Sequence, residues 1–152
     1  MLISIAKDYT WEMGHALFNH NGKCYHPHGH NYRLEVEVSG EVDEESGMVL
    51  DFAQLDDLIE PLIEEGFDHQ FLCNDTDTRA FIDPFGFTRM DGEPTAENLV
   101  RVFWQIIQGF ERSRHPAFER AGGDGISDRY GVTLERLTLW ETDKARATIR
   151  RS

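Results

Sequence analysis

His28-Gly29-His30-Asn31-Tyr32-Arg33-Leu34-Glu35-Val36-Glu37-Val38 alternates between two kinds of side chain. On an extended backbone successive side chains leave on opposite faces. Tyr32, Leu34, Val36 and Val38 therefore form an apolar face, and Arg33, Glu35 and Glu37 a polar one. The pattern predicts a strand from about His30 to Val42, half buried against a core. His28 and His30 share the apolar parity, so both imidazoles point toward the protein rather than the solvent. Gly29 between them lets the backbone bend with no Cβ in the way. Two imidazoles on one face supply half of a tetrahedral zinc shell.

An earlier strand, over roughly residues 2–13, carries Ile3, Ile5, Tyr9, Trp11 and Met13 in odd parity. His15 continues that parity just past the strand's end. If the two strands pair as an antiparallel hairpin, their converging ends bring His15, His28 and His30 together. Three histidines with an open fourth position is the arrangement of a catalytic zinc site. The competing reading is a histidine-rich surface loop with no metal. Cys24 stands four residues before His28 and has two possible roles. As a fourth ligand it closes the site and makes it structural. As a free thiol beside a metal and Lys23, its pKa falls from about 8.5 toward neutrality, making it a base or nucleophile. The residues alone leave both roles open.

Asp43-Glu44-Glu45-Ser46-Gly47 reads as a turn and Met48-Val49-Leu50 as a short returning strand. Asp51 caps a helix whose stripe is Phe52, Leu55, Leu58, Ile59, Leu62 and Ile63. Pro61 inside it predicts a kink or the start of a second helix. A long polar and aromatic segment follows from Cys73 to Glu93. Thr95 then caps a second helix with the stripe Leu99, Val102, Phe103, Ile106, Ile107 and Phe110. Residues 112–130 read as a loop with some short structure, and 132–141 and 145–150 as strands. The order is β-β-α-α-β-β over a single domain, 1–152. It predicts an α+β fold of two layers, an antiparallel sheet with helices on one face. Oligomerisation is one way to cover the edges of so small a sheet.

Other polar residues stand out less. Asp68-His69 is an adjacent carboxylate–imidazole pair that cooperates only through turn geometry or a third partner. Glu141 shares parity with Leu137 and Leu139, so it extends an apolar face. A carboxylate there is costly unless paired, which points to a guanidine-like N–H pair on a ligand; the alternative is a strand end open to water. Cys73 reads as a small buried hydrophobe. His20 and His115 carry no pattern and read as solvated, as do the acidic stretches at 41–45 and 56–65.

Twenty-eight acidic residues against 15 basic ones give a net charge of −13, which argues against a nucleic-acid or anionic-membrane partner. An anionic substrate then needs a local basic pocket, for which Lys23, His26, Arg33 and Arg89 are candidates. Two cysteines are too few for a disulfide framework and point to a reducing cytosol. No signal-peptide pattern opens the chain, and no apolar run approaches a membrane span. The expectation is a soluble, cytoplasmic protein.

Six ordered pieces of the chain resemble the 6-pyruvoyl-tetrahydropterin synthase and 6-carboxytetrahydropterin synthase family. They are Trp11-Glu12-Met13-Gly14-His15, Cys24-x-x-x-His28-Gly29-His30-Asn31-Tyr32, Val49-Leu50-Asp51-Phe52, Phe67-Asp68-His69, Glu93-Pro94-Thr95-Ala96-Glu97-Asn98 and Leu139-Trp140-Glu141-Thr142. The resemblance implies the tunnelling fold (T-fold), with subunits oligomerising into a barrel, commonly a homohexamer of two trimers. It implies Zn²⁺ on His15, His28 and His30, a catalytic thiol at Cys24, and Asp68 and His69 as proton-transfer partners. It makes Glu141 the anchor for the amino-pyrimidine edge of a pterin, with Thr95 nearby. The implied substrate is 7,8-dihydroneopterin triphosphate. The three-residue spacer between Cys24 and His28 resembles the branch that forms 6-carboxytetrahydropterin and acetaldehyde for the queuosine pathway. The 6-pyruvoyl-forming branch and a non-catalytic zinc or pterin-binding module on the same fold are the alternatives. Three features depart from the family's pattern: a long 73–93 segment carrying Phe81, Phe85 and Phe87, an extended 111–131 region, and His26-Pro27 within the metal motif.

Overall fold

The computed structural model describes residues 1–79, 88–109 and 124–152. Six strands form one sheet in the order β4-β3-β1-β2-β5-β6. Its centre is the long hairpin of β1 (Leu2–His15) and β2 (His28–Glu41). The register sets His15 opposite His28, Met13 opposite His30 and Trp11 opposite Tyr32. One face therefore carries the apolar parity of both strands and ends in the histidines. β5 (Thr133–Thr142) extends the sheet from β2, and β6 (Ala145–Arg150) closes the second hairpin.

Two helices pack on the apolar face. In α1 (Phe52–Gly66) the Asp51 carboxylate and Gln54 form a reciprocal capping box, which satisfies two donors at the helix start. Lys7 and Tyr9 of β1 both bind Asp56, at 2.7 and 3.0 Å, tying α1 to the sheet. In α2 (Ala96–Gln108) the Thr95 hydroxyl accepts from Asn98 N–H, and Gly109 ends the helix with φ of 75°. Phe67 and Phe103 pack at 4.5 Å, Phe103 meets Trp11 at 5.5 Å, and Trp11 stacks on Tyr32 at 5.6 Å. This aromatic column runs from the helices down the hairpin toward the histidines. A short α3 (Ile126–Tyr130) precedes β5.

The sequence expectations need five corrections. The sheet is mixed, because β3 (Phe71–Asn74) runs parallel to β1 and β4 (Thr88–Met90) parallel to β3. β4 lies inside the polar and aromatic segment expected from Cys73 to Glu93, and β3 straddles its start. Their three or four residues are too few to show a period. Met48–Leu50 is a bend rather than a strand; Asp43 N–H and Met48 C=O simply close the turn. Pro61 does not split α1, which is continuous through it. Phe52 is exposed rather than part of the buried stripe. The outer hairpin ends also run further than expected, so His15 is the last residue of β1 and His28 the first of β2. Phe110, Phe81, Phe85, Phe87, His115 and most of 111–131 lie outside the described residues.

No helix among the described residues is long and apolar enough to cross a membrane. β1 is hydrogen-bonded to β3 only at Gly14 and His15. From Leu2 to Met13 its other edge has no partner strand among the described residues.

Candidate metal centre and active site

The hairpin register puts the three imidazoles at one end of the apolar face. One ring nitrogen from each of His15, His28 and His30 lies within 4.8 Å of the others. Backbone carbonyls fix two of the rings. His15 Nδ1–H donates to Pro94 C=O at 2.7 Å, and His28 Nδ1–H to His26 C=O at 2.7 Å. A carbonyl only accepts, so each Nδ1 carries the proton and each Nε2 presents a lone pair. Those two Nε2 atoms face one another at 3.0 Å. His30 Nε2 is buried and has no hydrogen-bond partner.

Two converging lone pairs repel unless a cation stands between them. Tetrahedral zinc with bonds of about 2.05 Å would separate its nitrogen ligands by about 3.3 Å. The donor set thus fits a metal that prefers imidazole nitrogen, with a carbonyl behind two of its ligands in the usual outer-shell role. His26, singled out by its place in the motif, contributes through its backbone carbonyl to His28.

Burial holds the His15 pKa down at about 4 against an ordinary 6.5, and charge on His28 and His30 lowers it further. His30 is lowered for the same reasons, burial first, although Glu141 opposes the shift. In the unfolded chain His15 binds its proton near pH 6.5, and in the metal-free fold only near pH 4. Between those values the unfolded state holds more protons, so stability rises with pH. For protein stripped of metal, this residue alone is expected to remove on the order of 3 kcal/mol between pH 7 and pH 4. Urea midpoints across that range measure it. His15→Gln should flatten the dependence, and an equally steep profile in the variant would contradict this assignment.

Glu141 enters the same space. Trp140 pairs with Arg146 and Thr142 with Ala145, so Glu141 is the extra residue of a β-bulge at the strand's end. The bulge aims its carboxylate at the cluster, with Oε1 3.5 Å from His15 Nε2. It is not frayed into water, since its side chain is only 23% exposed. Tyr32 lies beneath, fully buried, with its hydroxyl 3.3 Å from His15 Nδ1. Burial raises the Tyr32 pKa, and the charges of Glu141 and Cys24 raise it further.

Cys24 lies in a 3-10 turn, Lys23–Tyr25, on the loop between β1 and β2. The thiol is free and half-buried, and its sulfur does not belong to the group of converging ligand atoms. Its backbone carbonyl accepts from Leu17 N–H at 2.8 Å, which folds the loop back on itself. Thr95 follows Pro94, whose carbonyl holds His15, and its own hydroxyl is engaged as the α2 cap.

Asp68 and His69 form a pair, Asp68 Oδ1 accepting from His69 Nδ1–H at 2.8 Å. His69 has a φ of 57°, held by its N–H bond to Glu12 C=O at 2.7 Å. The ring is exposed and lies 3.8 Å from the Glu12 carboxylate. Glu12 leaves β1 on the face opposite Met13 and His15. His69 lines a 440 Å³ groove together with Glu12, Asn31 and Gln70, and the same groove reaches His30. Within one chain His15, His28, His30 and Glu141 converge, while the hydrogen bonds and ion pairs of Asp68 and His69 run to one another and to Glu12.

Of the basic residues considered for an anion, Arg33 is bound to Asp8 at 3.1 Å and stacks on Trp140 at 3.7 Å. Arg89 donates to the carbonyls of Asp75 and Asp77. Glu12, the supporting carbonyls of His26 and Pro94, and the polar end of Tyr32 join the site only in three dimensions. Backbone carbonyls leave no side-chain signal, and the parity of Tyr32 speaks only for its apolar ring.

Fold and site together define a T-fold domain with a three-histidine cluster, suited to a metal, at the end of its central hairpin. The chain belongs to the 6-pyruvoyl tetrahydropterin synthase family, whose model matches residues 4–152. A protein from Aquifex aeolicus named 6-carboxy-5,6,7,8-tetrahydropterin synthase is 28% identical over 94% of both chains. One of the same name from Haemophilus influenzae is 36% identical over 51% of this chain and 57% of its own length. Among solved structures, Caenorhabditis elegans 6-pyruvoyl tetrahydropterin synthase is similar with a TM-score of 0.64 and 25% identity. That match covers 100% of this chain and 97% of the other.

Proposed function

We propose that this chain is a zinc-dependent 6-carboxy-5,6,7,8-tetrahydropterin synthase. Its substrate is 7,8-dihydroneopterin triphosphate, and its products, with uptake of water, are 6-carboxytetrahydropterin, acetaldehyde and triphosphate. The observation that carries the reading is the convergence of the His15 and His28 lone pairs beside Glu141, at a site next to a free thiol. The relatives named for this product and the three-residue Cys24–His28 spacer support the carboxy branch. The C. elegans likeness is the observation that favours a 6-pyruvoyl product as the second reading.

His15, His28 and His30 would hold Zn²⁺, which, when bound, polarises the oxygens of a hydroxylated side chain and makes the neighbouring C–H more acidic. Cys24 Sγ, as thiolate, takes that proton. His69, held by Asp68 through Nδ1, presents its Nε2, 3.8 Å from the Glu12 carboxylate, to return a proton at the neighbouring position. Glu141 accepts the paired N–H groups of the pterin ring, a charge-assisted contact in a mostly buried setting. Thr95, on the segment that holds His15, lines the pterin's edge.

Cys24 sits on the β1–β2 loop while His69 is bonded to Asp68 and beside Glu12, and a site shared between two copies of the chain is one way to bring both onto one substrate. A homohexamer, a dimer of trimers, meets that need, and the open edge of β1 supports it. Two cysteines with no disulfide between them support a cytoplasmic setting, and the carboxypterin product fits queuosine biosynthesis.

Glu141→Ala is expected to raise KM for the pterin about 10- to 100-fold, the worth of one or two hydrogen bonds to a charged group. Zinc content should remain at one per chain. Steady-state kinetics with metal analysis check both. An unchanged KM would remove Glu141 from pterin recognition.

A further inference from the structure

The Glu93 carboxylate accepts four hydrogen bonds from three residues, Phe18, Asn19 and Asn74. Oε2 accepts from Phe18 N–H at 2.8 Å. Oε1 accepts from Asn19 N–H at 3.0 Å, Asn19 Nδ2 at 2.7 Å and Asn74 Nδ2 at 2.9 Å. The Asn74 amide cannot turn away, because its oxygen already accepts from Thr76 N–H and Thr76 Oγ1. Glu93 C=O in turn accepts from Asn98 Nδ2 at 2.9 Å and Thr95 N–H at 2.8 Å. The peptide joining Glu93 to Pro94 is thus fixed from both sides.

Two consequences meet at the metal centre. The next carbonyl, that of Pro94, is the acceptor that sets the tautomer of His15. The loop held through Phe18 and Asn19 is the one closed by the Leu17–Cys24 backbone bond, which positions the thiol turn. We propose that Glu93 is a positioning residue that couples the two halves of the site, keeping His15 ready to bind metal while holding the Cys24 loop in place. Four donors on one side chain, drawn from the β1–β2 loop and the end of β3, exceed what capping α2 requires, since Thr95 already performs that role. Burial would raise the Glu93 pKa, but hydrogen bonds from Asn74, Asn19 and Phe18 outweigh it, so Glu93 is a carboxylate at neutral pH.

The inference rests on the zinc and thiol roles proposed above, and its test uses no pterin, so failure of the substrate reading leaves it intact. Zinc dissociation constants by chelator competition and the rate of Cys24 alkylation by iodoacetamide are measured on the full chain. Peptide mass spectrometry separates Cys24 from buried Cys73. For Glu93→Ala we expect zinc affinity to fall about 10- to 100-fold, the usual loss for an outer-shell partner, together with faster alkylation of Cys24. Glu93→Gln keeps an acceptor toward Asn19 and Asn74 but turns an N–H toward Phe18 N–H, so it should fall between. Asn19→Ala removes one donor and leaves Glu93 in place, so it should shift both readouts slightly the same way. It also decides the matter if Glu93→Ala does not fold. Folded variants that bind zinc within about twofold of the parent, or that lose zinc while Cys24 reactivity stays unchanged, would overturn the coupling. Lower thermal stability with both readouts intact would overturn it too, by marking Glu93 as purely structural.

Discussion

Replacing Cys24 by alanine is expected to cut turnover of dihydroneopterin triphosphate by about 10²- to 10⁴-fold, the span that a positioned proton-transfer group supplies. Zinc content and fold should be unchanged. Cys24 is half-buried in a short turn held by backbone bonds, and its sulfur stands outside the converging histidine nitrogens. Removing it therefore takes away neither a core contact nor a ligand. KM should move little, because the pterin ring is assigned to Glu141. Product formation at saturating substrate, with zinc measured on the same sample, separates the roles. Loss of zinc along with activity would make Cys24 a ligand. Full activity would leave the non-catalytic module as the better reading.

His28→Ala has the second large expected effect, the loss of the metal itself. The half-exposed His28 ring contributes one of the two facing Nε2 atoms, and its Nδ1 is committed to a carbonyl. The variant retains two imidazoles, and its zinc affinity should drop by more than about 100-fold, beyond the loss for an outer-shell change. A ligand present at 1,000 times its dissociation constant stabilises a fold by about 4 kcal/mol. The zinc-dependent part of thermal stability should therefore vanish in His28→Ala, while the chelated parent and the chelated variant melt alike. His28 is the better probe than His15, which is 1% exposed and would leave a cavity against Tyr32.

The central hairpin was legible because its two strands are long and alternate with few breaks, Lys7 being the one charge in the apolar parity of β1. Once paired, their parity brought His15, His28 and His30 together with no tertiary information. Glu141 was visible for the same reason, as a charge in an apolar parity, although the bulge that aims it was not. β3 and β4 were not legible, since strands this short are specified by their neighbours. The position of Asp68-His69 beside Glu12 was also hidden. It depends on the left-handed turn at His69 and on its bonds to Glu12, and an Asp-His dipeptide signals neither. The supporting carbonyls of Pro94 and His26, and the four-donor carboxylate of Glu93, lie in geometry that residue type does not encode.

Product analysis tests the central claim most directly. Purified protein is incubated with 7,8-dihydroneopterin triphosphate as prepared, after chelation, and after chelation followed by added Zn²⁺. Mass spectrometry follows the pterin, and derivatisation follows the aldehyde. The expected products are 6-carboxytetrahydropterin and acetaldehyde in equal amounts, lost with the chelator and restored by zinc. A 6-pyruvoyl product without acetaldehyde, or turnover indifferent to the chelator in zinc-free protein, would contradict the claim.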